Sequence, residues 1–393
     1  MKAGWQIKRL GDLSDLITKG TTPTSIGHAF VSEGINFIKV ESISENGQFV
    51  ESKFAHITQD CHDALKRSQL KDGDILFSIA GALGRTALVI ETILSANINQ
   101  ALAIIRLKKS NDVLPEFVLK TLETGFLLEQ IEKFKGGVAQ QNLSLAQVQE
   151  FQIPLPPLPE QQRIVGILDE AFDGIATAKA NTEKNLQNAR ALFESHLQSV
   201  FTQRGEGWVE KSLGDVCEYE NGKAHEQCIN EEGRFIVINS KFISTEGRVF
   251  KRSNKALLPL YPGDIAMVLS DVPNGKALAK CFLVEEADTY TLNQRICMIR
   301  SKKFHTKFLY YQLNRNRHFL SFDNGENQTN MRLNQVLSCP LFLPQISEQE
   351  TIAAKLDTLR EETHHLESIY QRKIAALDEL KKSLLHQAFS GEL

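Results

Sequence analysis

Residues able to do covalent chemistry are few in this 393-residue chain and poorly spaced for it. His56, Cys61 and His62 come closest to a metal-ligand group, but a fourth ligand and the usual spacing are absent, so no metal site is expected. Gly81-Ala82-Leu83-Gly84-Arg85 has glycines spaced as in a phosphate cradle, yet a plain β-turn between two strands explains it better. The chain has no GxxxxGK[ST] loop for ATP and no Asn/Asp-Pro-Pro-aromatic tetrapeptide of an amino-methyltransferase. It has no clustered carboxylates either. His364-His365 lies beside a helical seam and reads as solvated surface. No catalytic residue is assigned.

What the chain does carry is a repeat. Residues 154–169, PLPPLPEQQRIVGILD, return at 342–357 as FLPQISEQETIAAKLD. Glu160, Gln161, Ile164, Leu168 and Asp169 match Glu348, Gln349, Ile352, Leu356 and Asp357 at one offset of 188 residues. The register continues, with Ala189, Leu192, Leu197 and Phe201 falling on Leu377, Leu380, Leu385 and Phe389. A second echo pairs Trp5, Leu10, Gly11 and Asp12 with Trp208, Leu213, Gly214 and Asp215 at an offset of 203. Gly73-Asp74-Ile75 answers to Gly263-Asp264-Ile265, and Asn99-Gln100 with Arg106 to Asn293-Gln294 with Arg300. A repeat of this length dictates the architecture. Two units share a frame and differ in their insertions.

Four segments follow: 1–155, 156–207, 208–343 and 344–393. In the first unit INFIKV (35–40), DILFSIA (74–80), TALVI (86–90) and ALAIIRL (101–107) are short β-type runs between turns. A helical pattern then runs from Pro115 to Phe134, and Ser144 caps a short helix to Glu150. The second unit repeats the order with FIVIN (235–239), DIAMVLS (264–270) and RICMIR (295–300), then a helix over 306–322. Each unit is α+β and of ordinary domain size. Pro154–Pro159 and Pro340/Pro344 enforce extended backbone before a long helix begins.

The long helices carry a coiled-coil stripe. In the second, Ile352, Leu356, Leu359, Thr363, Leu366, Tyr370, Lys373, Leu377, Leu380 and Leu384 alternate four and three apart. In the first, Ile164, Leu168, Ala171, Ile175 and Ala178 hold the seam, Thr182 and Asn185 break it, and Ala189 and Leu192 resume it. Each stripe must be buried, and the matching surface is the other helix. Antiparallel pairing is expected, giving a dumbbell with one unit at each end and an internal pseudo-twofold repeat. About 40 residues make a rod of roughly 60 Å.

Composition, 42% hydrophobic and 24% charged, is that of a soluble globular protein. No signal-peptide core or membrane-spanning run is apparent, and six scattered cysteines without a CxxC pair suit reduced thiols in the cytoplasm. The net charge of −3 hides an uneven distribution: −1, −2, +3 and −3 over the four segments. The basic excess lies in the second unit, which leaves nucleic acid open as a ligand.

Two divergent α/β units, each opening W-x-x-x-x-L-G-[DE] and closing in L-P-x-[LI]-x-E-Q-x-x-I-x-x-x-L-D before a long helix, resemble the specificity subunit of type I restriction–modification systems. The terminal LLHQAFSGEL is similar to that family's ending, and the resemblance covers the chain from Trp5 to Leu393. It departs in Leu343-Pro344-Gln345-Ile346, where the first copy has Leu-Pro-Pro-Leu, and in the less leucine-rich tail of the first helix. The resemblance implies two target recognition domains, each reading half of a split, asymmetric double-stranded DNA sequence, with the helices setting the unread gap. It implies two methyltransferase subunits and restriction/translocase subunits as partners. S-adenosylmethionine, ATP and magnesium would be used on those chains, with no cofactor on this one.

Reading bases requires polar or basic side chains on elements that reach base edges. Residues at strand ends and turns meet this need. In the first unit they are Lys39, Ser42, Ser78, Arg85, Asn97, Gln100, Gln141 and Asn142. In the second they are Asn239, Lys241, Ser270, Asn274, Lys276, Asn293, Gln294, Gln328, Asn330 and Arg332. Asn99-Gln100 and Asn293-Gln294 are shared by both units, which favours a scaffold role for them. The polar, glycine-containing loops Gly136–Asn142 and Asn324–Arg332 are the stronger candidates.

Overall fold

The computed structural model describes residues 4–109, 112–135, 142–273 and 275–393. They form two compact units, Met1–Lys184 with Gln371–Leu393, and Asn185–Tyr370. Each long helix therefore contributes one stretch to each unit. The expected boundaries 156–207 and 344–393 instead make each helix a segment of its own.

The first unit holds a four-stranded antiparallel sheet ordered Ser14–Lys19, Leu102–Leu107, Ile75–Ser78, Thr86–Leu88. A three-stranded sheet of Ala55–Ile57, Ile35–Ile38 and Ala96–Ile98 shares a core with it, where Ile38 and Ile98 meet Leu76 and Ile104. Only its pair 35–38 with 96–98 is parallel among these strand pairs. Gln6–Arg9 pairs antiparallel with Gln152–Leu155. The start of the domain is thus stitched to the strand that feeds the long helix.

The second unit repeats these two sheets strand for strand: Glu218–Asn221, Ile296–Arg300, Ile265–Val268 and Cys281–Leu283, then Lys251–Ser253, Phe235–Ile238 and Tyr290–Leu292. Val209–Ser212 pairs with Pro340–Leu343. Leu102–Leu107 and Ile296–Arg300 lie centrally, covered on both faces, so they read as apolar runs that carry a single charge each.

The one charge in each of those central strands explains an echo. Arg106 donates from Nε and Nη2 to the two Asp74 oxygens, at 2.7 Å each. Arg300 does the same to Asp264, at 2.5 and 2.8 Å. Both carboxylates are buried, and each also accepts a main-chain N–H, from Lys71 and Tyr261 respectively. The repeated Gly-Asp-Ile and Arg are therefore the halves of a buried bidentate ion pair.

The shared Leu-Gly-Asp turn has a steric reason. A Cβ on Gly11 would stand 3.2 Å from Gln149 Cβ, and one on Gly214 would stand 3.3 Å from Leu337 Cβ. The turn packs on the short helices Leu145–Gln149 and Leu333–Leu337. Ser144 caps the first of these, accepting the Gln147 N–H at 3.2 Å. Where one helix is expected over 115–134 there are two, Pro115–Leu122 and Gly125–Lys135, parted where Thr124 Oγ1 donates to the Thr121 carbonyl. The pattern over 306–322 likewise divides into Thr306–Leu313 and Arg317–Leu320. Arg315 takes left-handed backbone at the break (φ 57°) and Asn316 caps the second piece.

The long helices are Leu158–Thr202 and Ile346–Ser390, 45 residues each. The repeated Glu-Gln locks their beginnings. Buried Gln161 accepts the Leu114 N–H (2.9 Å) and donates to the Asp112 and Pro156 carbonyls (2.8 Å each). Gln349 accepts the His305 N–H (2.8 Å) and donates to the Pro344 carbonyl (2.9 Å). The repeated Asp completes the joint, Asp169 on Lys120 and Asp357 on Lys307 and the Tyr311 hydroxyl, at 2.6 Å each.

Pairing is antiparallel. In the first unit Arg163 Nη2 meets the Leu393 carbonyl and Lys179 meets Asp378, both at 2.7 Å. In the second, Arg190 meets Glu367 at 3.1 Å. Ile164, Leu168, Ile175 and Leu356 are buried, and Ile352, Leu359, Leu377 and Leu384 are half-buried. Leu192, Leu366 and Leu380 stand out of the seam, 64%, 40% and 47% exposed. A strict heptad count drifts by about 20° per repeat against a 3.6-residue helix. The inward position has accordingly moved one residue along, to Phe193 and Glu367, and from Asn185 and Lys373 to Leu186 and Ile374. Thr182 does not break the seam. It is buried in it, with its hydroxyl on the Ala178 carbonyl (2.7 Å). No helix among the described residues is long and apolar enough to cross a membrane.

Candidate nucleic-acid interface

A base-reading side chain must keep hydrogen-bonding groups free at a solvent-facing edge. The proposed residues sort sharply on that criterion. Ser42, Ser78 and Asn97 are fully buried. Ser42 accepts the Lys39 N–H and donates to the Lys53 carbonyl. Ser78 bonds the Ala82 carbonyl and accepts the Arg85 N–H, so it closes the Gly81–Arg85 turn. Asn97 donates to the Leu65 carbonyl and Ser68 Oγ and meets His62 Nδ1 through its oxygen. These three are internal fasteners. His62 is thereby engaged, and Cys61 is buried, which pushes its thiol up from the ordinary value.

A second set acts as struts. Arg85 turns back so that Nη1 donates to the Val40 and Ile43 carbonyls (3.2 and 2.7 Å). Gln100 accepts from the Thr22 hydroxyl, and Gln294 donates to Glu226 (2.7 Å). Asn293 accepts the His225 N–H, and Asn239 caps the helix Ser240–Ser244 through the Phe242 N–H. Lys39 lies over the Phe30 ring, 4.8 Å from its centroid. Asn142, Lys241 and Lys276 are exposed. Gln141 and Asn274, with most of the Gly136–Asn142 loop, lie outside the described residues.

The third set does come together, in the second unit. A two-residue strand Ser270–Asp271 pairs with Thr329–Asn330, bringing Ser270, Gln328, Asn330 and Arg332 to one edge. Gln328 donates to Ser270 Oγ at 2.9 Å, while Gln328, Asn330 and Arg332 are exposed. A main-chain bond from the Met331 N–H to the Leu269 carbonyl (2.9 Å) tethers this loop to the sheet. In the first unit the Leu143 N–H makes the matching bond to the Ile79 carbonyl (2.8 Å), beside Asn142. Amide and guanidinium groups held at such an edge are the types that bond bidentately to adenine and guanine.

Sequence reasoning missed what shapes this edge. The Asp271 carboxylate accepts the main-chain N–H groups of Val272, Ala277 and Leu278, at 2.9, 2.6 and 3.1 Å. A Cβ on Gly275 would come within 2.1 Å of that carboxylate. The Asp-Val-Pro-Asn-Gly run is a turn signature that points to this fold-back. Asp323 fixes the opposing loop through the Gly325 N–H and the Thr329 hydroxyl. Among the described residues no group of three or more His, Cys, Asp or Glu is placed to hold a metal ion. The six cysteines are free, and burial pushes Cys217 and Cys339 up to about 12, so both thiols stay protonated.

A family model described as the type I restriction modification DNA specificity domain matches twice, at residues 2–188 and 205–374. The specificity subunit of the type I restriction enzyme MjaVIII from Methanocaldococcus jannaschii is 24% identical over 99% of this chain and 93% of its own length. The EcoBI specificity subunit from Escherichia coli is 29% identical over 45% of this chain, a match spanning about a third of that relative (36%). Two solved structures share the fold across the whole chain. One comes from work on complex assembly and conformational transition of the type I R-M system (TM-score 0.83, 21% identity, 99% of that chain). The other is the HsdS subunit from Thermoanaerobacter tengcongensis (TM-score 0.60, 20% identity, 98% of that chain). Twofold repetition of the matched domain, each copy closing on the Gln-locked long helix, makes this chain a member of the type I restriction–modification specificity-subunit family.

Proposed function

We propose that the chain is the DNA-recognition subunit of a type I complex and performs no catalysis itself. Each α/β unit reads one half of a bipartite, asymmetric target in double-stranded DNA. The long helices set the unread spacer and dock two methyltransferase subunits, through which restriction subunits join. Methyl transfer from S-adenosylmethionine and the ATP- and magnesium-dependent steps belong to those partners, in the cytoplasm.

One observation carries this reading. The two units share their ion pair, turn and Gln lock, yet the sequences that lead into the tethers differ, GGVAQQN before Leu143 and NGENQTN before Met331. A common frame with unlike edges is what two different half-sites require. Basic and polar groups around the edges would fix phosphates, and the exposed amides and Arg332 would read bases.

Single-molecule sequencing of adenine methylation, with the gene intact and deleted, tests it. Loss of one bipartite methylated motif on deletion is expected and would reveal both half-sites. Methyl transfer by the purified chain alone would overturn the non-catalytic assignment.

A further inference from the structure

The ion pairs between the long helices occupy positions the repeat makes equivalent. Lys179 corresponds to Glu367 and Arg190 to Asp378 at the offset of 188 residues. The structure pairs them crosswise: Lys179 with Asp378 in the first unit (2.7 Å), Arg190 with Glu367 in the second (3.1 Å). The first helix is thus basic at both equivalent sites and the second acidic at both. A helix meeting a copy of itself in this register would set Lys179 against Arg190 twice, or Glu367 against Asp378 twice. The aromatic and cationic residues nearby follow the same logic. Phe172 lies under Lys381, 4.8 Å from ring centroid to ammonium, whereas their equivalents are Arg360 and Phe193 with the types exchanged. A copy of the second helix would set Arg360 against Lys381.

We propose that the two long helices carry a reciprocal charge code that makes each select the other and reject a second copy of itself. The apolar seam differs between the helices in size, with Ala171, Ala178 and Ala189 standing where the second helix has Leu359, Leu366 and Leu377. The charges act beside that difference, since like charges facing one another oppose association even where each attractive pair adds little. A binding surface presented by either helix accepts the opposite half of this chain, whether from the same molecule or from another.

Charge exchange in the full chain tests the code. K179E/R190E makes both helices acidic at the matched sites, and E367R/D378K makes both basic. Each double variant is expected to melt a few degrees below the parent at low salt, with the gap closing in high salt. The quadruple variant, with polarity reversed, is expected to recover the parent melting temperature. Co-expressed with different tags, the two double variants are expected to capture one another as a 1:1 dimer, because the acidic helices of one match the basic helices of the other. A quadruple variant as unstable as the doubles, or doubles that melt like the parent and never associate, would overturn the proposal.

Discussion

Phe389 packs against Phe117 in the first unit, ring centroids 5.1 Å apart, and Phe201, at the equivalent point of the first long helix, packs against Phe308 in the second at 5.5 Å. Each long helix ends on an aromatic anchor that binds its last turn to a domain. Removing such a buried ring leaves a cavity, so Phe389→Ala is expected to destabilise the first unit by about 3 kcal/mol. Hydrogen exchange read unit by unit checks it: protection should fall in the first unit and hold in the second, and Phe201→Ala should do the opposite.

The Gln locks predict a sharper loss than the exposed residues that follow them, Gln162 and Glu350. Gln161→Ala strands the Leu114 N–H and the Asp112 and Pro156 carbonyls. At 1–3 kcal/mol for an unsatisfied buried group, a cost of about 3 kcal/mol is expected. Urea unfolding of Gln161→Ala beside Gln162→Ala, its neighbour on the outer face, measures the difference.

Burial raises the Glu123 carboxyl above its ordinary value, against the opposing pull of Lys381, the Thr86 hydroxyl and Lys120. A carboxyl raised on folding binds more protons in the native state, so its contribution is fully present below the unfolded pKa and is lost as pH rises through the folded one. Glu123→Gln should therefore stabilise the protein at neutral pH, and the advantage should vanish below the carboxyl's ordinary value of 4.5. Thermal melts of both proteins from pH 4 to 8 show whether the curves converge at the acid end.

At the second unit's edge, Asn330→Ala and Arg332→Ala are expected to relax one half of the methylated motif and leave the other intact. Each bidentate base contact discriminates by about 1–3 kcal/mol. Methylome sequencing of strains carrying each variant reads this directly; equal loss of both halves would point to a folding defect instead. Removing one heptad from both helices, residues 181–187 and 369–375, takes out about 10 Å of helix. The spacer in the motif should then shorten by about three base pairs.

The repeat was legible because its residues do structural work that few substitutes can do. Gln161 and Gln349 hold carbonyls and an N–H at once, Gly11 and Gly214 admit a neighbouring helix, and Arg106 and Arg300 neutralise buried carboxylates. The candidate edge was legible only in part. Ser42, Ser78 and Asn97 look like readers in sequence because their types suit base edges, but nothing local reveals that tertiary contacts turn them inward. Gln328 and Asn330 resemble them in type and differ only in the loop that carries them. Leu192, Leu366 and Leu380 show the same limit in a helix, where a small error in period accumulates into a changed face.

The tethers from Leu143 to Ile79 and from Met331 to Leu269 are made entirely of main-chain atoms. Every amino acid except proline supplies the N–H they need. Side chains beyond each tether, other than the turn-forming Asp271 and Asp323, can therefore be exchanged while the sheet beneath keeps its grip. On the proposed reading, mutation can search the segments beside these tethers for new addresses on a chromosome without first having to solve the folding problem again.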